Sequence, residues 1–204
     1  MKKALLTILI AAVLWTVMFS PLTAPYVNFW WMMTGSALAL SLFATVFGGA
    51  WWKNLRISVS EVLLGVLIAV VLWGVFWTGD RLSQLMFNFA RPQVDLIYGM
   101  KDGESAWLLT VLMLFIIGPA EEIFWRSYLQ RWFSERWSPN AGFIVTTSIY
   151  ALVHAGSCNF MLTMAALVAG FVWGLFYRLY PQHLFAIILS HALWDVAVFI
   201  WFPI

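Results

Sequence analysis

The sequence predicts an all-α fold: a polytopic membrane helical bundle of about seven transmembrane helices, N-terminus in and C-terminus out. Three observations predict it. The 204 residues are 63% hydrophobic and 10% charged, against roughly a quarter charged in a typical soluble domain. Apolar runs of about twenty residues, the length a helix needs to cross the hydrocarbon core, recur along the chain. The few charges gather at the ends of those runs, most of the basic ones on one side. The net charge of +2 is too small to point to nucleic acid, and the single cysteine, Cys158, excludes an internal disulfide while leaving the redox compartment open.

The spans follow in order. The first, 4–24, stands behind Lys2 and Lys3 and has the outline of a secretory signal. Its apolar run is long, however, and "SPLTAP" offers a poor cleavage site, so it reads as a retained span. The second, 29–52, is bounded by Pro21 and Pro25 before it and by Lys53-Asn54 after it; the third, 60–79, stops at Gly79-Asp80. Residues 80–105 are polar enough for a loop, within which "LSQLMFNFA" has the character of a short interfacial helix. The fourth span is 106–133. The last three, 140–157, 160–179 and 183–202, are separated by Ser138-Pro139-Asn140, Gly156-Ser157 and Tyr180-Pro181-Gln182, turns tight enough to make them packed neighbours. No internal repeat or low-complexity linker interrupts the chain.

With the N-terminus in the cytoplasm, Lys2, Lys3, Lys53, Arg56, Arg126, Arg131, Arg136 and Arg178 fall at or towards cytoplasmic ends. Arg81, Arg91 and Lys101 fall outside, in the loop that also carries Asp80, Asp95, Asp102 and Glu104. Eight against three sets the orientation.

Of the 20 charged side chains, 16 lie in loops or near span ends; the four left within spans are Glu121, Glu122, Arg126 and Asp195. His154 and His191 lie within spans as well. An ionised group at the bilayer centre costs about 2.5–3.5 kcal/mol even on lenient scales, so such groups mark sites. Glu122 and Arg126 are four apart with the acid first, the favourable order for an ion pair. Glu121 is turned about 100° away and is free to point elsewhere. His191 and Asp195, also four apart, share a face of the seventh span. Taken singly, each has a bland reading: His154 as an interhelical hydrogen bonder, the Glu122–Arg126 pair as scaffold, Asp195 as the residue that orients His191. Their concentration in three spans of the C-terminal half points instead to one site.

At these residues the chain resembles the CAAX protease and bacteriocin-processing family of glutamic intramembrane proteases. That family's motifs, EExxxR, FxxxH and HxxxN or HxxxD, read here "EEIFWR" at 121–126, "YALVH" at 150–154 and "HALWD" at 191–195. The resemblance covers roughly 105–200 and divides the chain into N-terminal spans and connecting loop, 1–104, and a catalytic transmembrane core, 105–204. It implies that Glu121 acts with His154 to activate a water for attack on a peptide carbonyl. It further implies that His191, held by Asp195, stabilises the oxyanion, that Glu122 and Arg126 form a supporting pair, and that no metal or other cofactor is needed. Tyr150 stands where the family has phenylalanine, adding a hydroxyl near His154. Asp195 stands where the CAAX-cleaving branch has asparagine; an ionised aspartate cannot donate to an oxyanion, which favours the bacterial branches over a prenyl-protein substrate. The expected substrate is a membrane-associated protein or peptide, cleaved in C-terminal processing, leader removal or sorting-tail cleavage, in a bacterial or archaeal cell membrane.

Two other classes stay open on the residues alone. Glu121, His154, His191 and Asp195 are acceptable zinc ligands, so a membrane metalloprotease is possible chemistry, although HExxH is absent. A proton-coupled transporter would use the same carboxylates and histidines, but it predicts paired broken helices, and only Gly118-Pro119 offers an interruption. A Cys158–His154 dyad has the right spacing, but Cys158 falls at a helix-ending turn. Depth sets a condition on any of these readings. His191 falls near the midplane, Glu121 towards the cytoplasmic half and His154 beside the outer turn at Gly156. They meet only if helices kink or boundaries shift, and Gly118-Pro119 is one place for a kink.

Overall fold

The structure, a computed structural model, describes residues 2–204, with Asn54 described by its backbone alone. It is all-helical: helices make up 87% of it, and the described residues contain no strand. Eight helices carry the fold: α1 (Lys2–Phe19), α2 (Phe29–Gly48), α3 (Val59–Met86), α4 (Ala90–Tyr98), α5 (Ala106–Arg136), α6 (Pro139–His154), α7 (Phe160–Leu179) and α8 (Pro181–Trp201). Six of them, α1, α2, α3, α5, α7 and α8, are long and apolar enough to cross a membrane. The span expected at 140–157 is the 16-residue α6, which ends at His154 and is followed by a tight turn over Ala155–Ser157.

Side-chain caps start the helices where turn chemistry was expected. Asn28, Ser58, Ser105, Ser138 and Asn159 each accept a backbone N–H from the first turn of the helix that follows. Pro139, next to its cap, sits where its missing N–H costs nothing.

Two expectations fail between 80 and 105. Gly79-Asp80 does not end the third helix. Asp80 Oδ2 accepts Gln84 Nε2 at 2.5 Å, the Asp80 carbonyl accepts Ser83 Oγ at 2.9 Å, and α3 runs on to Met86. Asp80 is therefore a buried helical residue and not part of an outer loop. The short helix is α4, at 90–98, displaced by about eight residues from "LSQLMFNFA". It is tied to the start of α7, where Asn159 Nδ2 donates to the Gln93 carbonyl at 2.8 Å and Gln93 Oε1 accepts Met161 N–H at 3.0 Å.

The central helix is α5, flanked by α2, α6 and α8; α8 packs along α3, α6 against α7, and α1 against α2 and α6. From Ala120 to Gln130 every residue of α5 is buried. Its hydrogen bonding widens twice to π geometry, over Met113–Ile117 and Ile123–Gln130, on either side of Gly118–Glu122. Gly118 N–H reaches back five residues to Met113 O, so the helix passes Pro119 without breaking. The last turns of α8, Ala197–Trp201, are π as well.

Close approach of α5 to α8 is fixed at Gly118. A Cβ built there would lie 2.7 Å from Ala192 Cα and 2.9 Å from Ala192 N, both rigid backbone atoms. Gly118→Ala is therefore expected to destabilise the protein by about 1–3 kcal/mol through overpacking, whereas Gly74→Ala, with nothing within 4 Å of its added Cβ, should leave stability unchanged or raised. Melting curves of the two variants in detergent check this.

Candidate active site

One cavity of about 530 Å³ receives the motif residues of α5, α6 and α8: Glu121, Tyr150, His154, His191 and Asp195 all line it. Its remaining walls are mostly aromatic, Met and aliphatic side chains, and among the described residues no Lys or Arg lines it. The lining continues to Met86, Phe87, Tyr98 and Met100, at the end of the bundle where α3 finishes and α4 lies. Sequence placed the motif residues at different depths. The wide turns of α5 and the termination of α6 at His154 itself let them reach one space.

Glu121, 6% exposed, is held by a neighbour that its own helix does not supply. Tyr150 O–H donates to Glu121 Oε2 at 2.8 Å, which leaves Oε1 without a donor among the described residues. The hydroxyl expected to sit near His154 thus serves the carboxylate. His154 has both ring nitrogens engaged. The Tyr150 carbonyl can only accept, so His154 Nδ1 donates to it, at 2.7 Å. The Trp15 indole N–H can only donate, so His154 Nε2 accepts from it, at 3.1 Å. These two partners fix one neutral tautomer. Trp15 comes from α1, far from any motif, and is fully buried; nothing in the sequence singled it out.

On the other side of Glu121 lies a cluster of charges centred on Glu122, which has no solvent exposure. Its Oε1 receives His191 Nδ1 at 2.6 Å and stands 3.1 Å from Arg126 Nη1. Arg126 also donates through Nη2 to the Gly170 carbonyl at 3.2 Å, and its guanidinium lies over the rings of Tyr150 and Trp173 at 5.1 and 5.8 Å. Trp173 stacks on the His191 ring at 3.8 Å and donates its indole N–H to Ser190 Oγ. This corrects the expected division of labour. Asp195 Oδ1 is 3.6 Å from His191 Nε2, beyond hydrogen-bond reach, so Glu122 holds His191 and Asp195 does not. Glu122 approaches the ring from α5 and takes the Nδ1 side, while Asp195, one turn along α8, stands off the Nε2 side.

Other residues weighed from sequence lie elsewhere. Cys158 is exposed, in a left-handed backbone conformation just past α6, and both nitrogens of His154 are occupied, so no Cys–His dyad forms. Among the described residues no three His, Cys, Asp or Glu side chains come together as a metal-ligand set. Asp80, placed by sequence in a loop, lines the cavity instead.

Glu122 meets both Arg126 and His191, so its removal leaves two buried groups without their partner. Glu122→Gln is expected to lower stability on the scale of about 3–5 kcal/mol. A double change that also replaces Arg126 by Met should recover only part of this, since His191 keeps its broken contact. Thermal melts of the single and double variants measure both.

Residues 103–197 match the family model described as Type II CAAX prenyl endopeptidase Rce1-like. No curated protein and no solved structure matches the chain. With its apolar helices, the protein is an integral membrane peptidase. Over residues 103–197, just under half of its length, it is similar to the CAAX protease and bacteriocin-processing family.

Proposed function

We propose that the protein is an intramembrane endopeptidase in which Glu121 is the general base that activates water against a peptide bond of a membrane-associated protein or peptide. The observation that carries this reading is the single apolar cavity onto which Glu121, His191 and Asp195 open together. Tyr150 fixes one oxygen of Glu121 and leaves the other for a water. His154 does not share the proton abstraction in this reading, because Trp15 occupies its only lone pair; it fixes the α6 turn that presents Tyr150.

His191 is the oxyanion-side group. As an imidazolium it donates Nδ1–H to Glu122 and turns Nε2–H to the cavity, where a developing oxyanion can accept it. Asp195 acts as a protonated acid or through water, in the position where asparagine would donate directly. A substrate carboxylate placed at the scissile bond would face Glu121, Asp195 and Asp80 with no Lys or Arg lining the space, so the site suits an internal bond with apolar flanks. The printed family description names prenyl-protein cleavage; the apolar walls admit a lipidated segment, while Asp195 favours leader, sorting-tail or other bacterial processing. We place the protein in a bacterial or archaeal cell membrane with its N-terminus inside, residues 105–204 forming the catalytic core.

Glu121→Gln keeps volume but removes the base, so turnover should fall by roughly 10²–10⁴ while the melting curve stays at or above that of the unchanged protein. Normal cleavage by this variant would return the base to another residue. Asp195→Asn should retain activity and Asp195→Leu lose it, because only the first keeps a donor towards the oxyanion; equal loss in both would remove Asp195 from the chemistry. Activity should also survive exhaustive chelation, and recovery on adding zinc would move the reading to a metalloprotease.

A further inference from the structure

At the end of the bundle opposite α4, a second recess of about 480 Å³ is lined by Lys53, Arg56, Arg131 and Arg178, with the hydroxyls of Ser134 and Tyr177 beside them. No acid lines it. We propose that this recess binds a phosphate-bearing anion, presented by the headgroup of an anionic phospholipid. The proposal stands apart from the peptidase reading, since none of these residues reaches the cavity of Glu121.

Four cations from three separate parts of the chain converge here: the turn after α2 and the segment following it, the end of α5 and the end of α7. Two are partly committed. Arg131 donates to the Gly48 carbonyl and stands 3.8 Å from the exposed Glu135. Arg178 donates through Nε to Asn140 Oδ1 at 2.5 Å. These contacts orient the guanidinium groups and leave further N–H donors on each, the fork that matches phosphate oxygens. Lys53 and Arg56 make no hydrogen bond or ion pair among the described residues. Glu61, at the start of α3, is already committed to His183 at 2.5 Å and to the Ala186 N–H at 3.3 Å. Four like charges around one recess repel, and an anion held among them relieves this as no side chain lining the recess does.

Depth favours a lipid as the source. Trp52, Trp137 and Tyr180 are exposed around this end, and such aromatic side chains sit at headgroup level. Ile57, Val59 and Leu179 are also exposed beside it, offering an apolar surface for acyl chains. This is the face on which Lys2, Lys3 and Arg136 fall, the side assigned to the cytoplasm, whose leaflet carries anionic lipids.

The test titrates purified full-length protein, in neutral detergent, with dioctanoyl phosphatidylglycerol, dioctanoyl phosphatidylcholine, glycerol phosphate and inorganic phosphate, by calorimetry. Phosphatidylglycerol should bind in preference to phosphatidylcholine, and added salt should weaken it. Lys53→Ala with Arg56→Ala, which breaks no observed contact, should weaken it by roughly 30-fold. Lys2→Ala with Lys3→Ala removes as much charge from the same face and should leave it unchanged. Binding of glycerol phosphate as tight as that of the lipid would keep the phosphate site but assign its ligand to water. Equal binding of the two lipids, or equal loss in both double variants, would overturn the proposal.

Discussion

The interaction on which the rest of this structure depends is the Glu122 carboxylate, closed off from solvent, between Arg126 and His191. A buried carboxylate in a bilayer is costly unless charge and hydrogen bonds meet it. Here they come from two helices, and Arg126 carries the connection to a third by donating to Gly170 of α7. One turn further along α5, Gln130 Nε2 donates to the Gly174 carbonyl at 2.7 Å. Two side chains four apart on α5 thus read two carbonyls four apart on α7. Glycine at both positions also lets α7 pack close to α6: a Cβ at Gly170 would lie 2.7 Å from the Tyr150 ring, and one at Gly174 3.0 Å from Thr147 Oγ1. Apolar packing alone does not distinguish helix from lipid, so polar contacts of this kind are what set the register of α5 against α7 and α8.

Much of this was legible in the sequence because charge inside an apolar helix has few meanings. Glu122 and Arg126 announced their pairing by spacing, and the three motifs announced a shared space by type. What spacing could not convey was contact between helices. Asp195 lies one turn from His191 in sequence, which suggested a hydrogen bond; Glu122, 69 residues away, makes it instead. Gly79-Asp80 resembled a helix end because the sequence does not reveal that Gln84 would satisfy the carboxylate within the helix. Six helices met the length and apolarity of a span where seven were expected, and α6, 16 residues long, ends at His154.

The π geometry of α5 answers the difficulty of depth and facing. Glu121 and Glu122 lie in the regular α-helical stretch Gly118–Glu122 and diverge by about 100°, so both are buried only where the helix is packed all round. Widened turns on both sides of Gly118–Glu122 change the facing of the residues beyond them, and α5 at this level is buried all round. Glu121 then meets α6 through Tyr150 while Glu122 meets α8 through His191. Pro119 contributes by lacking the N–H that a regular turn would require, so the irregular bonding leaves no donor stranded at that position.

The N-terminal helices carry no motif, yet the site is not independent of them. Trp15 of α1 donates to His154, and Phe19 packs 5.6 Å from the same ring, centroid to centroid. Protonating His154 at Nε2 would set an N–H against the Trp15 N–H, two donors with no acceptor between them, in a place from which water is largely excluded. As long as α1 is docked, therefore, His154 stays neutral and its Nδ1–H stays on Tyr150. Tyr150 in turn keeps its hydroxyl on Glu121. The order of Glu121 thus runs back through α6 to a single indole on α1. A helix that looks from sequence like a generic anchor fixes which oxygen of the carboxylate is left free for water.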